Sequence, residues 1–420
     1  MLHPASSWDW QPGERVVLDS TACPAPHEWQ EEPHVSPDGE KFGAIVRLDD
    51  GLFTLCVNGT PWEATFDKIW NPRFSPDGRL TSIVQQDGEW TLAVDGEVWP
   101  ENYAYLWSTM FSADGSVIVA AIQQDGEYGL CIDGAPWETL YENANQYAVS
   151  RDGQATAAVV QMQSMAAADL AAFQRGVFSV AVNGQPWERT FVNVYTPTFD
   201  ASGSRVAAQV RLNLYDYGIA VDGETWKQTY ACVWEPRFNP ASGAVVAPVR
   251  IAGSWGLAQD GQIIWEPVFA QCWQQAFSRD GKTIAAIVAT GYGKFTVAVN
   301  AKPWAATFPV VTDLTLSADG KRAAALANEY NADWQVVVDG RPWNGVFDMA
   351  WKPVFSPDGA RVAAKVERKG RQNVLLDGKP YKRDFEQVWE PAFSPDGSKV
   401  LIRARDGGKY LRIVAQAADF

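Results

Sequence analysis

"FSPDG", residues Phe355–Gly359, returns unchanged at Phe393–Gly397 and at Phe74–Gly78. About half a repeat away from such copies lies a second phrase, as in "VDGRPW" from Val338 to Trp343. The serine of the S-x-D-G turn recurs at Ser36, Ser75, Ser112, Ser150, Ser278, Ser317, Ser356 and Ser394. Degenerate copies, "FDASG" from Phe199 and "FNPASG" from Phe238, fill the gap between Ser150 and Ser278. Successive turns stand 37 to 39 residues apart, except for one interval of 50 between Ser150 and Asp200. A fixed pitch of this kind is a repeat array, which overrides the two or three domains that 420 residues would otherwise imply.

Each unit reads as four short strands. "PVF" (Pro353 to Phe355) enters the SPDG turn, where Asp bonds nearby amides and Gly supplies a positive φ. A small-residue strand, "ARVAAKV" from Ala360, follows. "NVLLDG" from Asn373 ends in an Asp-Gly turn, the strongest short hairpin signal. The last strand follows "PW" and is expected to end at motifs such as "VWEP" (Val388 to Pro391), whose proline opens the next unit. The regular repeats carry no sustained helical period. The expected fold is all-β: a β-propeller of about ten four-stranded blades. The "FSPDG" spacing resembles that of WD40-like PD40 and TolB-type blades rather than true WD40, whose Gly-His and Trp-Asp pairs are missing from the repeats. Only two strands follow Ser394, and one spare strand, "ERVVLD" (Glu14 to Asp19), precedes the first turn. Pairing them closes the ring and hides both edges. The expected layout is an extension over 1–13 and a single propeller over 14–420, with two smaller rings as the alternative.

Twenty tryptophans fall mostly into two slots. Trp62, Trp99, Trp137, Trp187, Trp226, Trp265, Trp304 and Trp343 follow the second turn, with Tyr381 as a ninth member. Trp70, Trp107, Trp234, Trp273, Trp351 and Trp389 take the expected end of the fourth strand. A large flat ring repeated in every blade packs one sheet on the next, each burying ~150–250 Å². Trp8, Trp10, Trp90, Trp255 and Trp334 stand off this pattern and are the better candidates for surface contact. The turn aspartates, such as Asp77, Asp114 and Asp358, are explained by their turns rather than by metal. The Trp-Glu pairs at Glu63, Glu138, Glu188, Glu235 and Glu390 are expected to face solvent or to form an acidic docking rim.

A net charge of −15 argues against nucleic acid and anionic lipid surfaces as partners. The first ten residues carry neither a basic start nor an apolar run, and no apolar stretch is long enough to span a bilayer as a helix. The expected location is cytoplasmic, with any membrane association through partners and no direct insertion. Five cysteines include no CxxC pair. Cys56 and Cys131 share one slot and read as small buried hydrophobes, and Cys232 and Cys272 read as another equivalent pair.

A search for chemistry finds little. His3, His27 and His34 cluster near the start without an HExxH, and there is no GxSxG, Walker loop or GxGxxG. No catalytic, cofactor-binding or metal-binding residue is assigned, although acids in a central channel stay open as a hydrolase or lyase alternative. The irregular element is "MQSMAAADLAAFQRG", residues 162–176, an alanine-rich insertion expected to be helical. Met162, Met165, Leu170 and Phe173 are its candidate interaction residues, and a helix capping its own blade is the equal alternative.

A tryptophan-rich chain of this length with "SPDG" and "DGxPW" repeats from Glu14 to Phe420 resembles the D subunit of the Tmc transmembrane electron-transfer complex of sulfate-reducing bacteria. The resemblance implies a cofactor-free accessory subunit on the cytoplasmic face, with no catalytic residues to carry over. Its partners would be a membrane cytochrome b, an iron–sulfur protein related to heterodisulfide reductase, and a multihaem cytochrome c. The alternative is a free-standing peptide- or ligand-binding propeller.

Overall fold

The computed structural model describes residues 4–20, 29–49, 51–164, 170–329 and 333–420. His3, Cys23, His27 and Met165 lie outside them. Ten antiparallel sheets follow one another along the chain and form a single ring of ten blades. Blades 1 to 9 begin at Trp29, Lys68, Tyr105, Ala144, Asn193, Cys232, Gln271, Val310 and Met349, and blade 10 begins at Gln387.

The second strand of each blade shows why the ring forms. Ala323–Asn328 is buried at every residue, and Thr156–Gln161 at all but its last. These strands lose the alternation of a sheet with one wet face, because both faces are covered. Alanine, valine and isoleucine dominate them, which lets neighbouring sheets approach closely. The core is accordingly divided into seams between successive blades. Ala285, Ile287 and Val297 of blade 7 pack on Ala323, Ala325 and Val337 of blade 8, and Ala324, Leu326 and Val336 pack in turn on Val362, Ala364 and Leu375 of blade 9. A sheet with two apolar faces needs two neighbours, and only a closed ring gives every sheet both.

Closure uses the N-terminal strand. Gly13–Asp19 pairs antiparallel with Lys409–Gln416, from Gly13 opposite Val414 to Asp19 opposite Lys409. Blade 10 then meets blade 1 through a seam more polar than the others. The buried Arg412 donates to the Asp38 carbonyl at 2.8 Å and pairs with Glu40 at 3.0 Å. Tyr410 donates to the Gly39 carbonyl at 3.0 Å, while its ring lies 5.3 Å from Phe42 and 5.8 Å from Trp389.

Both turns behave as their residues dictate. In the first, the Ser317 hydroxyl donates to Asp319 at 2.7 Å, and Asp319 accepts the Lys321 amide at 3.1 Å. In the second, Asp339 and Gly340 both have positive φ, 52° and 76°, as a tight two-residue hairpin requires. The Asp339 carboxylate also accepts the amide of Ala323, at the start of the second strand, at 2.9 Å.

The expected fourth strand is corrected. It is only two residues long in most blades, as at Lys379–Pro380, and extends to Gln262–Phe269 in blade 6. "VWEP" does not end it. Gln387–Val388 and Ala392–Phe393 both pair with Lys399–Asp406, so the motif belongs to the first strand of the next blade. The proline sits beside an interruption in that strand rather than between blades. The equivalence of Cys232 and Cys272 is also corrected. Cys232 lies seven residues before its turn residue Asn239, whereas Cys272 lies six before Ser278. A one-residue offset reverses the face of a strand, and Cys272 is buried while Cys232 is half-buried.

Candidate channel site

First strands of successive blades touch one another and run around the inside of the ring. Each carries a break in register just ahead of its turn. In six blades the residue four positions before the turn residue adopts a left-handed φ near 50°: Asn71, Ser108, Gln146, Thr196, Gln274 and Asp313. The bulge turns that side chain and the one before it toward the channel.

Over blades 4 to 8 these positions enclose a cavity of about 910 Å³. Its lining includes Gln146, Thr196, Glu235, Gln274 and Thr312 from the inner strands. Aromatic walls come from Tyr195, Tyr217, Trp234, Trp255 and Trp273. A smaller cavity of about 450 Å³ shares Thr196 and Glu235 with it and continues toward the S-x-D-G turns over Phe199, Arg237, Phe238 and Phe277.

Trp234 stacks on Trp255, and Trp273 meets Phe295 edge-on at 5.5 Å and 71°. The Arg211 guanidinium lies over the Tyr217 ring at 5.7 Å. Gln146 accepts the Thr196 amide at 2.6 Å, tying blade 4 to blade 5 across the cavity floor. The single acid in the lining among the described residues, Glu235, pairs with Arg237 at 3.2 Å. Burial pushes the Cys232 thiol above its ordinary range, so it rests there as a neutral thiol.

Gln209 sits on the second strand of blade 5, opposite Tyr195. Its slot, nine residues after the turn residue, holds Ile287 in blade 7, and it is paired with the inner-strand position five before the turn. Two other polar residues occupy that slot, and both have partners: Lys365 lies over Trp351 at 3.9 Å, and Arg403 donates to the Ser36 carbonyl at 3.0 Å. Gln209 is 8% exposed and lines the cavity, and its amide makes no hydrogen bond among the described residues.

The two tryptophan slots therefore separate. The slot after the second turn packs between blades: Trp62 lies on Gly96 of the next blade, Trp137 on Gly184, Trp304 on Gly340 and Trp343 on Gly378. The second slot is corrected. Its members stand on inner strands, where Trp234 and Trp273 line the cavity and Trp70 is 53% exposed. Trp90, Trp255 and Trp334 are not off-pattern either. They share a third slot with Phe53, Tyr128, Phe178, Tyr217 and Phe295, five residues before the second-turn Asp or Asn. Alternation among Phe, Tyr and Trp hid that slot. Among the remaining off-pattern residues, Trp8 stacks on Trp10 at 5.9 Å. Of the Trp-Glu carboxylates, Glu63, Glu138, Glu188 and Glu390 are exposed, and Glu235 enters the cavity.

The insertion contains one short helix, α1 (Leu170–Arg175). Leu170 is 67% exposed and Phe173 half-buried. Met162 is not on the helix. Its amide bonds the Val177 carbonyl at 2.7 Å, and its side chain packs against the seam of blades 3 and 4. The helix lies between the second and third strands of blade 4. The corresponding connections in blades 5 and 7 expose Leu214, Tyr215 and Tyr292. In blades 2 and 3 the same connection is Asp-Gly-Glu, at Asp87–Glu89 and Asp125–Glu127. Tyr217 and Trp255 stand at the starts of third strands, so the cavity and the apolar tips share one end of the ring.

Neither a protein-family profile nor a curated protein matches the chain. Solved structures that are similar to it include three with TM-scores below 0.5. One is a eukaryotic initiation factor, 12% identical over 78% of this chain and 89% of that one, with a TM-score of 0.49. Another is the β-propeller domain of the Trilobed protease from Pyrococcus furiosus, 13% identical over 65% and 95%, with a TM-score of 0.31. The Dos1 propeller is 12% identical over 96% and 95%, with a TM-score of 0.36. Ring architecture rests on the chain's own ten sheets. Among the described residues, no helix is long and apolar enough to cross a membrane.

Proposed function

We propose that this chain is a non-catalytic interaction scaffold. The observation that carries the reading is the set of apolar side chains at the tips of blades 4, 5 and 7, where Leu170, Tyr215 and Tyr292 are 67%, 79% and 103% exposed. They stand on a ring whose seams are packed throughout, so the surface they form is held in a fixed shape. In the finer reading, drawn from the resemblance of its repeats, the scaffold is a cytoplasmic accessory subunit of a membrane-bound electron-transfer complex. Its neighbours there are a cytochrome b, a heterodisulfide-reductase-like iron–sulfur subunit and a multihaem cytochrome c. Affinity purification from detergent-solubilised membranes tests this: co-purification of haem and iron–sulfur absorbance with the tagged chain supports it, and recovery of the chain alone overturns it.

The channel cavity favours a second reading, a free-standing propeller that binds its ligand there. A hydrolase or lyase reading has less support. Among the described residues Glu235 is the only carboxylate in the cavity lining, and it pairs with Arg237.

A further inference from the structure

We infer that the blade 4–8 cavity is a docking site for an extended, uncharged segment of a partner protein bearing proline or aromatic side chains, an assignment that rests on the scaffold reading. Gln209 supplies the first argument. Its amide opens onto the cavity rather than being sealed in the core, and its slot is served by isoleucine in blade 7. The polar residue there is accounted for if something outside the chain meets it. Gln271 and Gln274 also line the cavity without a side-chain hydrogen bond among the described residues. A primary amide offers a donor and an acceptor side by side, which complements the N–H and C=O of a peptide group.

The aromatic walls supply the second argument. Trp234 rests one face on Trp255, and the residue as a whole is 45% exposed. The indole N–H groups of Trp234, Trp255 and Trp273 make no hydrogen bond among the described residues. Flat apolar walls with free donors suit a polyproline-type segment, whose backbone carbonyls have no internal partners.

Charge and extent narrow the class further. Among the described residues no Lys or Arg belongs to the lining and its one acid is paired, so a charged ligand would be desolvated without compensation. The cavity spans five blades and shares Thr196 and Glu235 with the smaller one beside it, an extent that favours a polymer over a small molecule.

The test is a tryptophan-fluorescence titration of the full chain with three probes: a blocked decapeptide of proline and tyrosine, a blocked decapeptide of alternating lysine and glutamate, and cellotetraose. The proline–tyrosine peptide is expected to bind at least roughly tenfold more tightly than either other probe. Trp234→Ala and Gln209→Leu should each weaken it by roughly tenfold, a hot-spot-sized loss. Trp70→Ala, in the same slot of blade 2, should leave it unchanged. No peptide binding, preferential binding of cellotetraose or of the charged peptide, or equal affinity in the Trp234 and Gln209 variants would overturn the assignment. The membrane purification keeps the two ideas apart. If Trp234→Ala protein retains the wild-type partners at wild-type yield, the docking assignment falls while the scaffold stands. If wild-type protein recovers no partner yet binds the peptide through Trp234, the complex-subunit reading falls while the cavity assignment stands.

Discussion

Trp234 lies flat on Trp255, with ring centroids 5.6 Å apart and planes 7° from parallel. Corresponding pairs elsewhere meet edge-on, Trp107 with Tyr128 at 73° and Trp273 with Phe295 at 71°. The parallel arrangement leaves Trp234 with an open face, whereas Trp255 is 6% exposed and belongs to the seam between blades 6 and 7. Stability and binding should therefore divide between them. Trp255→Ala is expected to cost about 3–5 kcal/mol, and Trp234→Ala about 1 kcal/mol or less. Denaturant unfolding of the two variants checks this.

Blade 7 places Ala301 at φ 63° in a hairpin turn where most other blades use glycine. A side chain there is strained, so Ala301→Gly should stabilise the protein by about 0.5–1 kcal/mol. The reverse change, Gly340→Ala, places a Cβ 3.0 Å from Trp304 at φ 76° and should destabilise by more than that. Thermal melting of both variants against wild type gives the comparison.

Hydroxyl bonds from Ser112, Ser317 and Ser394, followed by bonds from nearby backbone amides, hold Asp114, Asp319 and Asp396 at about 2, below the ordinary 3.8. A lowered folded-state value contributes stability above pH 3.8 that is lost as pH falls toward 2. The triple variant D114N/D319N/D396N should show a flatter pH dependence across that window, measured by circular dichroism during acid titration.

Lys365 has the opposite sign. Burial lowers its ammonium to about 8, against the opposing pull of Glu367 and Glu390. Between pH 8 and the ordinary 10.5 the unfolded chain holds the extra proton, so stability contributed through this group rises with pH. Wild type should gain melting temperature across that interval relative to Lys365→Met, which has no such group to titrate.

Removing residues 1–19 should leave the Lys409–Gln416 strand with a bare edge. Such edges pair with other chains. Light scattering after size exclusion is expected to show self-association of the truncated protein where the full chain shows none.

Much of the ring was legible because turn chemistry repeats. Ser-x-Asp-Gly and Asp-Gly fix backbone conformations that few other residues tolerate, so ten copies stayed visible, and the spare strand at Glu14 announced the closure. The cavity was not legible. Spacing assigns Trp234 and Trp62 to slots, but not to the channel or to the seam, because the bulge that turns the inner strand requires no fixed residue: Asn71, Gln146 and Asp313 all adopt it. The proline of "VWEP" looks like a boundary between units, although it interrupts one strand. Gln209 was readable as a polar residue in an apolar slot, once the units were aligned on Asp200.

The closing seam joins residues far apart in the chain, since Arg412 meets Asp38 and Tyr410 meets Gly39. Every other seam joins consecutive units and can assemble as the polypeptide leaves the ribosome. Blade 1 must wait for its second neighbour until nearly the whole chain has been made. Its apolar face is thus the surface most in need of a chaperone during synthesis, and ring closure is the expected slow step of folding.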